Sequence, residues 1–166
     1  ASEYGFEARI LDAVEDVNTR QKTHLFEMVS AEFKGDLKGR SIAVWGLSFK
    51  PNTDDMREAP SLVLMDALLA AGAVVRAHDP EAMVEAEHIY KAEDRFSVHE
   101  DEYDAVVGAD ALVLVTEWKQ YWVPDYERLS KSMRRRVLVD GRNIWPQDAA
   151  IEHGFTCHAI GRQTVK

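Results

Sequence analysis

Lys50, Asp54, Asp55, Arg57 and Glu58 fall within one short polar stretch, residues 48–58, and Phe49 stands among them. A lysine is a mobile point charge suited to a phosphate or a sugar hydroxyl, and an arginine presents a planar fork that matches phosphate oxygens two at a time. A further cation, Arg142, follows the apolar run VLVDG. The formal net charge is −9. That balance argues against nucleic acid or an anionic membrane as a partner. It also gives weight to each cation near a candidate site, because an anionic ligand needs a local positive field. Each has a plainer reading: Lys50 as a solvated loop residue, Arg57 paired with Asp54, Asp55 or Glu58, and Arg142 paired with Asp140.

These residues need elements to place them. SIAVWG, 41–46, is apolar and rich in β-branched and aromatic residues, which predicts a strand buried on both faces. SLVLMDALLAAGA, 61–73, carries Leu62, Val63, Met65, Leu68 and Leu69 at helical spacing and is closed by Gly72. Strand, polar loop and helix form the first half of a βαβ unit, and in such sheets ligands sit beyond the carboxyl ends of the strands. The pattern repeats down the chain. Further strands are predicted at 73–80, around 96–98, and at 111–116, 135–141 and 155–161, with short helices between them. Asp125 is the expected N-cap of the helix that follows it, and the arginines at 134–136 are read as a solvated helix end. Alternation implies an α/β fold: a Rossmann-like, doubly wound parallel sheet of about six strands in the order 3-2-1-4-5-6. Residues 3–34 read as one long helix ahead of it, so the organisation expected is a helix over 1–36 and a sheet domain over 37–166.

The loop carries a resemblance. GLSFKPNTDDMRE is similar to the signature near the start of the C-terminal, UDP-binding domain of the UDP-glucose/GDP-mannose dehydrogenase family, with Gly46, Phe49, Lys50, Thr53, Asp55, Arg57 and Glu58 filling the pattern. TEW at 116–118, DYERL at 125–129 and DGRN at 140–143 fit in order and at similar spacing, and favour the UDP-glucose members. The resemblance implies that Phe49, Lys50 and Arg142 contact a nucleotide-sugar. It implies that Arg57 reaches towards NAD held by another domain, and that the whole enzyme oxidises UDP-glucose to UDP-glucuronate in the cytoplasm. It makes the long helix a domain linker and a homodimer interface through Ile10, Leu11, Val14 and Val17. Domains acting on GDP-mannose or UDP-N-acetylmannosamine share the first signature, and a free-standing nucleotide-sugar-binding module is the alternative to an enzyme portion.

Some chemistry is not expected from this chain. A dinucleotide fingerprint needs G-x-G-x-x-G after the first strand, but Ser48 and Pro51 follow Gly46 at the next two glycine positions. Asp79 has the placement of a ribose-binding acid, or of a simple turn before Pro80. The family's nucleophilic cysteine lies in a stretch with no counterpart here. Cys157, the single cysteine, sits inside an alternating strand and reads as a small buried hydrophobe. The histidines lack zinc spacing, so no metal is expected. No apolar run approaches the roughly 18 residues needed to cross a bilayer. Ala1 is not a natural start, which implies a piece of a longer protein, inactive by itself.

Overall fold

The computed structural model describes residues 9–165. Six strands alternate with helices: α1 (Arg9–Glu32), β1 (Ser41–Trp45), α2 (Pro60–Ala70), β2 (Val74–His78), α3 (Met83–Ile89), β3 (Phe96–Val98), α4 (Glu102–Ala105), β4 (Ala111–Leu114), α5 (Tyr126–Ser132), β5 (Val137–Asp140), α6 (Gln147–Glu152) and β6 (Thr156–Ala159). The sheet order is β3-β2-β1-β4-β5-β6, the order expected from the sequence. Every ladder is parallel; Ile42 of β1 pairs with Val75 on one side and Ala111 on the other. Because both faces are covered at the centre of the sheet, β4 is apolar and buried throughout and β1 is so after Ser41, whereas the edge strands β3 and β6 are only partly buried. Ile42 and Val44 enter a core shared with Leu25, Val29 and Phe33 of the first helix region and Leu64, Met65 and Leu68 of α2. Ala43 and Trp45 face the opposite core, with Leu129, Ala150 and Phe155.

Residues 3–8 of the expected long helix lie outside the described residues. So do the side chains of Ile10, Leu11, Val14 and Val17, on which the expected interface rests. Asp125 caps α5, its carboxylate accepting from the Arg128 amide at 2.9 Å. The arginines at 134–136 are not a helix end: α5 stops at Ser132. Arg134 pairs with the buried carboxylate of Asp110 at 3.2 Å, Arg135 lies 5.2 Å from the Phe33 ring centre, and Arg136 reaches the His153 carbonyl at 3.3 Å. Among the described residues, no helix is long and apolar enough to cross a membrane.

Candidate functional site

Gly46 ends β1 with φ +88°, a conformation that an L side chain rarely adopts. A Cβ there would lie 2.5 Å from the Thr116 amide nitrogen. The missing side chain therefore lets the loops after β1 and β4 touch, and Thr116 Oγ1 donates to the Ser48 carbonyl at 2.6 Å. Gly141, after β5, is held as closely: a Cβ would meet the Leu114 carbonyl at 2.5 Å and Leu25 at 3.0 Å. Two glycines thus draw three strand ends together against α1.

The loop after β1 closes on itself. The Phe49 amide donates to the Asp55 carbonyl at 2.8 Å, and the Asp55 amide to Thr53 Oγ1 at 3.1 Å. Asn52 takes a positive φ at the loop's apex. Asp55 grips Arg57 with both oxygens, Nε at 2.9 Å and a terminal nitrogen at 2.8 Å. Those side-chain bonds, with the bond from the Arg57 amide, hold the Asp55 carboxyl well below its ordinary range, at about 2. Lys50 is exposed and, among the described residues, has no hydrogen-bond or ion-pair partner.

The acid after β2 has a different fate. Asp79 is fully buried. Its Oδ2 accepts from the Leu47 amide at 2.7 Å, the Ser48 amide at 3.1 Å, Ser48 Oγ at 3.2 Å and Trp118 Nε1 at 3.0 Å. Its Oδ1 accepts from the Glu81 and Ala82 amides, both at 2.9 Å. Nothing is left to grip a ribose. Asp79 instead ties the loop after β1 to that after β4, and Trp118 is a strap between them.

On the other side of β1 a cleft of about 390 Å³ opens beyond β1, β4 and β5. It is lined by Gln21, Lys22, Leu25, Phe49, Pro60, Val115, Gly141, Arg142 and Ile160. Phe49 leaves 53% of its surface exposed on the cleft wall. Arg142 does not pair through its side chain with Asp140, which accepts only its backbone amide at 2.9 Å. Its guanidinium instead reaches back to Glu117, one nitrogen 2.7 Å from Oε1 and Nε against Oε2. Burial works to raise the Glu117 carboxyl, but the bonds from Arg142 and from Glu117's own amide outweigh it and leave the carboxyl lowered. Lys22, from α1, is held by Glu58 at 2.7 Å.

The sequence profile of the UDP-glucose/GDP-mannose dehydrogenase family, UDP binding domain, matches residues 43–147, which run from β1 through the cleft to the start of α6. The chain belongs to this family. It is 51% identical to a UDP-glucose 6-dehydrogenase of Pseudomonas aeruginosa over 98% of its own length and 36% of the relative's. It is 40% identical to a UDP-glucose 6-dehydrogenase of Rhizobium meliloti, again over 98% of the chain and 36% of the relative. Among solved structures, a UDP-glucose dehydrogenase from Pyrobaculum islandicum aligns with TM-score 0.74 and 35% identity, covering 86% of this chain and 31% of that one. The chain spans about a third of the length of the curated relatives it matches.

Within this UDP-binding domain the residues singled out from sequence divide. Phe49 and Arg142 share the cleft; Lys50, next to Phe49 in the chain, is exposed and is not among the residues that line it. Arg57 does not join them. It lies in the loop ahead of α2, which begins at Pro60 with Ala59 as its cap, and its side chain is 89% exposed. With Thr53, Asp54, Met56, Leu62, Glu85 and Ile89 it borders a separate depression of about 520 Å³ on the α3 side. Cys157 is buried on β6, and burial, with the Asp140 charge adding to it, pushes its thiol up to about 11. At neutral pH it is a protonated core residue, not a nucleophile. The sequence does not single out Lys22, and it marks Glu117 only as part of the TEW stretch, not as the partner of Arg142. Lys22 is separated in sequence from the rest of the cleft, and only the helical register of the α1 segment 21–25, with Leu25 turned to the core, points towards it.

Proposed function

We propose that this chain is the nucleotide-sugar-binding portion of an NAD-dependent UDP-glucose 6-dehydrogenase, a cytoplasmic enzyme that oxidises UDP-glucose to UDP-glucuronate in two steps. The observation that carries the reading is the cleft itself: the exposed Phe49 ring and the Arg142 guanidinium share it beyond the strand ends, with Lys50 next to Phe49 in a chain of net charge −9. The names of the relatives support UDP-glucose as the ligand. Phe49 covers the base or sugar as an apolar wall, while Arg142 and Lys50 supply donors to the diphosphate or the sugar hydroxyls.

NAD does not fit this chain as a resident cofactor. Gly46 is packed against Thr116 and leaves no glycine cradle for a pyrophosphate, and the acid placed for a ribose is consumed inside the fold. Arg57, facing away from the cleft, is assigned to a NAD molecule held by another part of a longer protein. In that protein the segment 1–36, which contains α1, links the sheet domain, 37–166, to the rest and forms a homodimer contact.

Calorimetric titration of the chain with UDP-glucose and with NAD is the test. Binding of UDP-glucose without binding of NAD is expected, together with no NADH absorbance when both are mixed with the chain. Tight NAD binding, or sustained NADH formation, overturns the assignment. A free-standing sugar-nucleotide module would give the same titrations. It would differ in leaving the cells' UDP-glucuronate pool unchanged when its gene is disrupted.

A further inference from the structure

Two cations line the cleft, and each is neutralised by a carboxylate that does not line it. Arg142 is held by Glu117 from the loop after β4. Lys22 is held by Glu58 from the end of the loop after β1, at 2.7 Å. The two pairs differ in how firmly their acids are seated. The Glu117 side chain is only 29% exposed, whereas Glu58 is 84% exposed. Glu58 also has φ +60°, a left-handed conformation that a side chain bearing a Cβ adopts at a cost. The chain leaves that turn through Ala59 into Pro60, which begins α2. Helix capping does not account for the acid, because the cap of α2 is Ala59 and no side chain caps it. Its one side-chain partner among the described residues is Lys22, and that pairing lowers the Glu58 carboxyl.

Resting on the reading of the cleft as a nucleotide-sugar site, we propose that Lys22 is a diphosphate-binding residue and that Glu58 is its exchangeable counter-ion, displaced when the ligand enters. The exchange is favourable on simple grounds. An exposed Lys–Glu pair is worth little, because water screens it and two long side chains must be fixed to make it. A diphosphate carries more charge than one carboxylate and can engage Lys22 and Arg142 together, beside an apolar wall of Leu25, Val115 and Phe49 that excludes water. The pairing keeps an unliganded cationic pocket from attracting unrelated anions. It also makes α1 part of the binding site, since Lys22 is supplied by α1 and Arg142 by the loop after β5.

The test is calorimetric titration of the chain with UDP and with uridine, which shares the base and ribose and lacks the phosphates. Lys22→Gln is expected to weaken UDP by about tenfold and to leave uridine unchanged. Glu58→Gln is expected to tighten UDP by about two- to fivefold, because the competing carboxylate is gone. That gain has the opposite sign to anything produced by damage to the fold, and Lys22→Arg should restore most of the affinity lost in Lys22→Gln. If UDP affinity is unchanged in Lys22→Gln, or falls in Glu58→Gln as it does in Lys22→Gln, the pair is a structural strut and the proposal is wrong. Arg142→Ala separates the two levels. Weaker UDP binding there, with no change at Lys22 and Glu58, overturns this proposal alone. Absence of UDP binding by the unaltered chain overturns both it and the reading of the cleft.

Discussion

Asp79 follows β2 and Glu117 follows β4, so two acids stand on the same edge of the sheet, on either side of β1. Asp79 has no exposed surface and accepts hydrogen bonds from two loops and an indole. Glu117 is partly exposed and spends its charge on one arginine at the mouth of a cleft. The first half of the sheet is therefore closed at the end of β2: the carboxylate that a dinucleotide-binding domain would turn to a ribose is used to fasten backbone, and the depression beside Arg57 lies away from it. The second half is open, and its acid organises a cation that a ligand can reach. The fold of this domain resembles a dinucleotide-binding one, whereas the cleft proposed above for its ligand lies across β1, on the side of β4 and β5.

The closed half is broken most directly by Asp79→Asn. The amide nitrogen would set a donor against donors already aimed at that position, or leave them unpaired. We expect a loss of about 3 kcal/mol of stability, read as a fall in the denaturation midpoint. Loosening of the loop after β1 should accompany it, seen as faster amide exchange at Leu47 and Ser48. If stability is kept, Asp79 is not the fastener described here.

Next in size is Arg142→Ala in the open half. Loss of a charge-assisted contact should weaken UDP-glucose binding by about ten- to a hundredfold. A stability cost of about 1 kcal/mol should accompany it, because Glu117 is left without its partner. Lys50→Ala should weaken binding without that cost, since Lys50 makes no hydrogen bond or ion pair among the described residues. Unaltered binding in both variants would remove the cleft from consideration.

A smaller effect sharpens the contrast through pH. His78 ends β2 on the closed side, where its Nδ1 lies 2.6 Å from the Tyr121 hydroxyl. Burial depresses its pKa below the ordinary 6.5, against the opposing pull of Glu102, Asp79 and Asp101. The folded chain then binds fewer protons than the unfolded chain below pH 6.5. The stability from keeping this ring neutral is present above that value and is lost as pH falls through the depressed folded pKa. Melts between pH 7.5 and 5 should show this slope, and His78→Gln should flatten it. An unchanged slope would mean that the closed half is wetter than its geometry indicates.

Arg57→Ala carries the smallest expected effect on the chain itself. Its guanidinium is almost wholly exposed and pairs only with Asp55, two residues away, among the described residues. UDP-glucose binding and the melting temperature should not move. In the longer protein proposed above, the apparent requirement for NAD should rise, as measured by varying each substrate separately. A loss of UDP-glucose affinity would place Arg57 in the cleft after all.

Much of this was legible in the sequence for local reasons. A strand buried on both faces must be apolar throughout, so β1, β4 and β5 stand out as runs. Parallel strands joined by right-handed crossovers leave few orders, and the expected one is found. Phe49, Lys50 and Arg142 follow strand ends, which puts them on the ligand edge whatever the packing. The rest depended on contacts between distant parts of the chain. Lys22 and Glu58 are 36 residues apart, and Arg142 and Glu117 are 25 apart. A sequence does not say which face of α1 will meet the sheet, or which of two acids an arginine will choose. Asp79 has the placement of a ribose-binding acid and also that of a turn residue, because its type and position are the same in both cases. Its role was decided by the closeness of the loops after β1 and β4, which Gly46 permits and the buried Trp118 indole completes. Periodicity and strand order are set by each residue's own burial, so sequence carries them. Hydrogen-bond partnership is set by separation in space, and only the folded chain determines that.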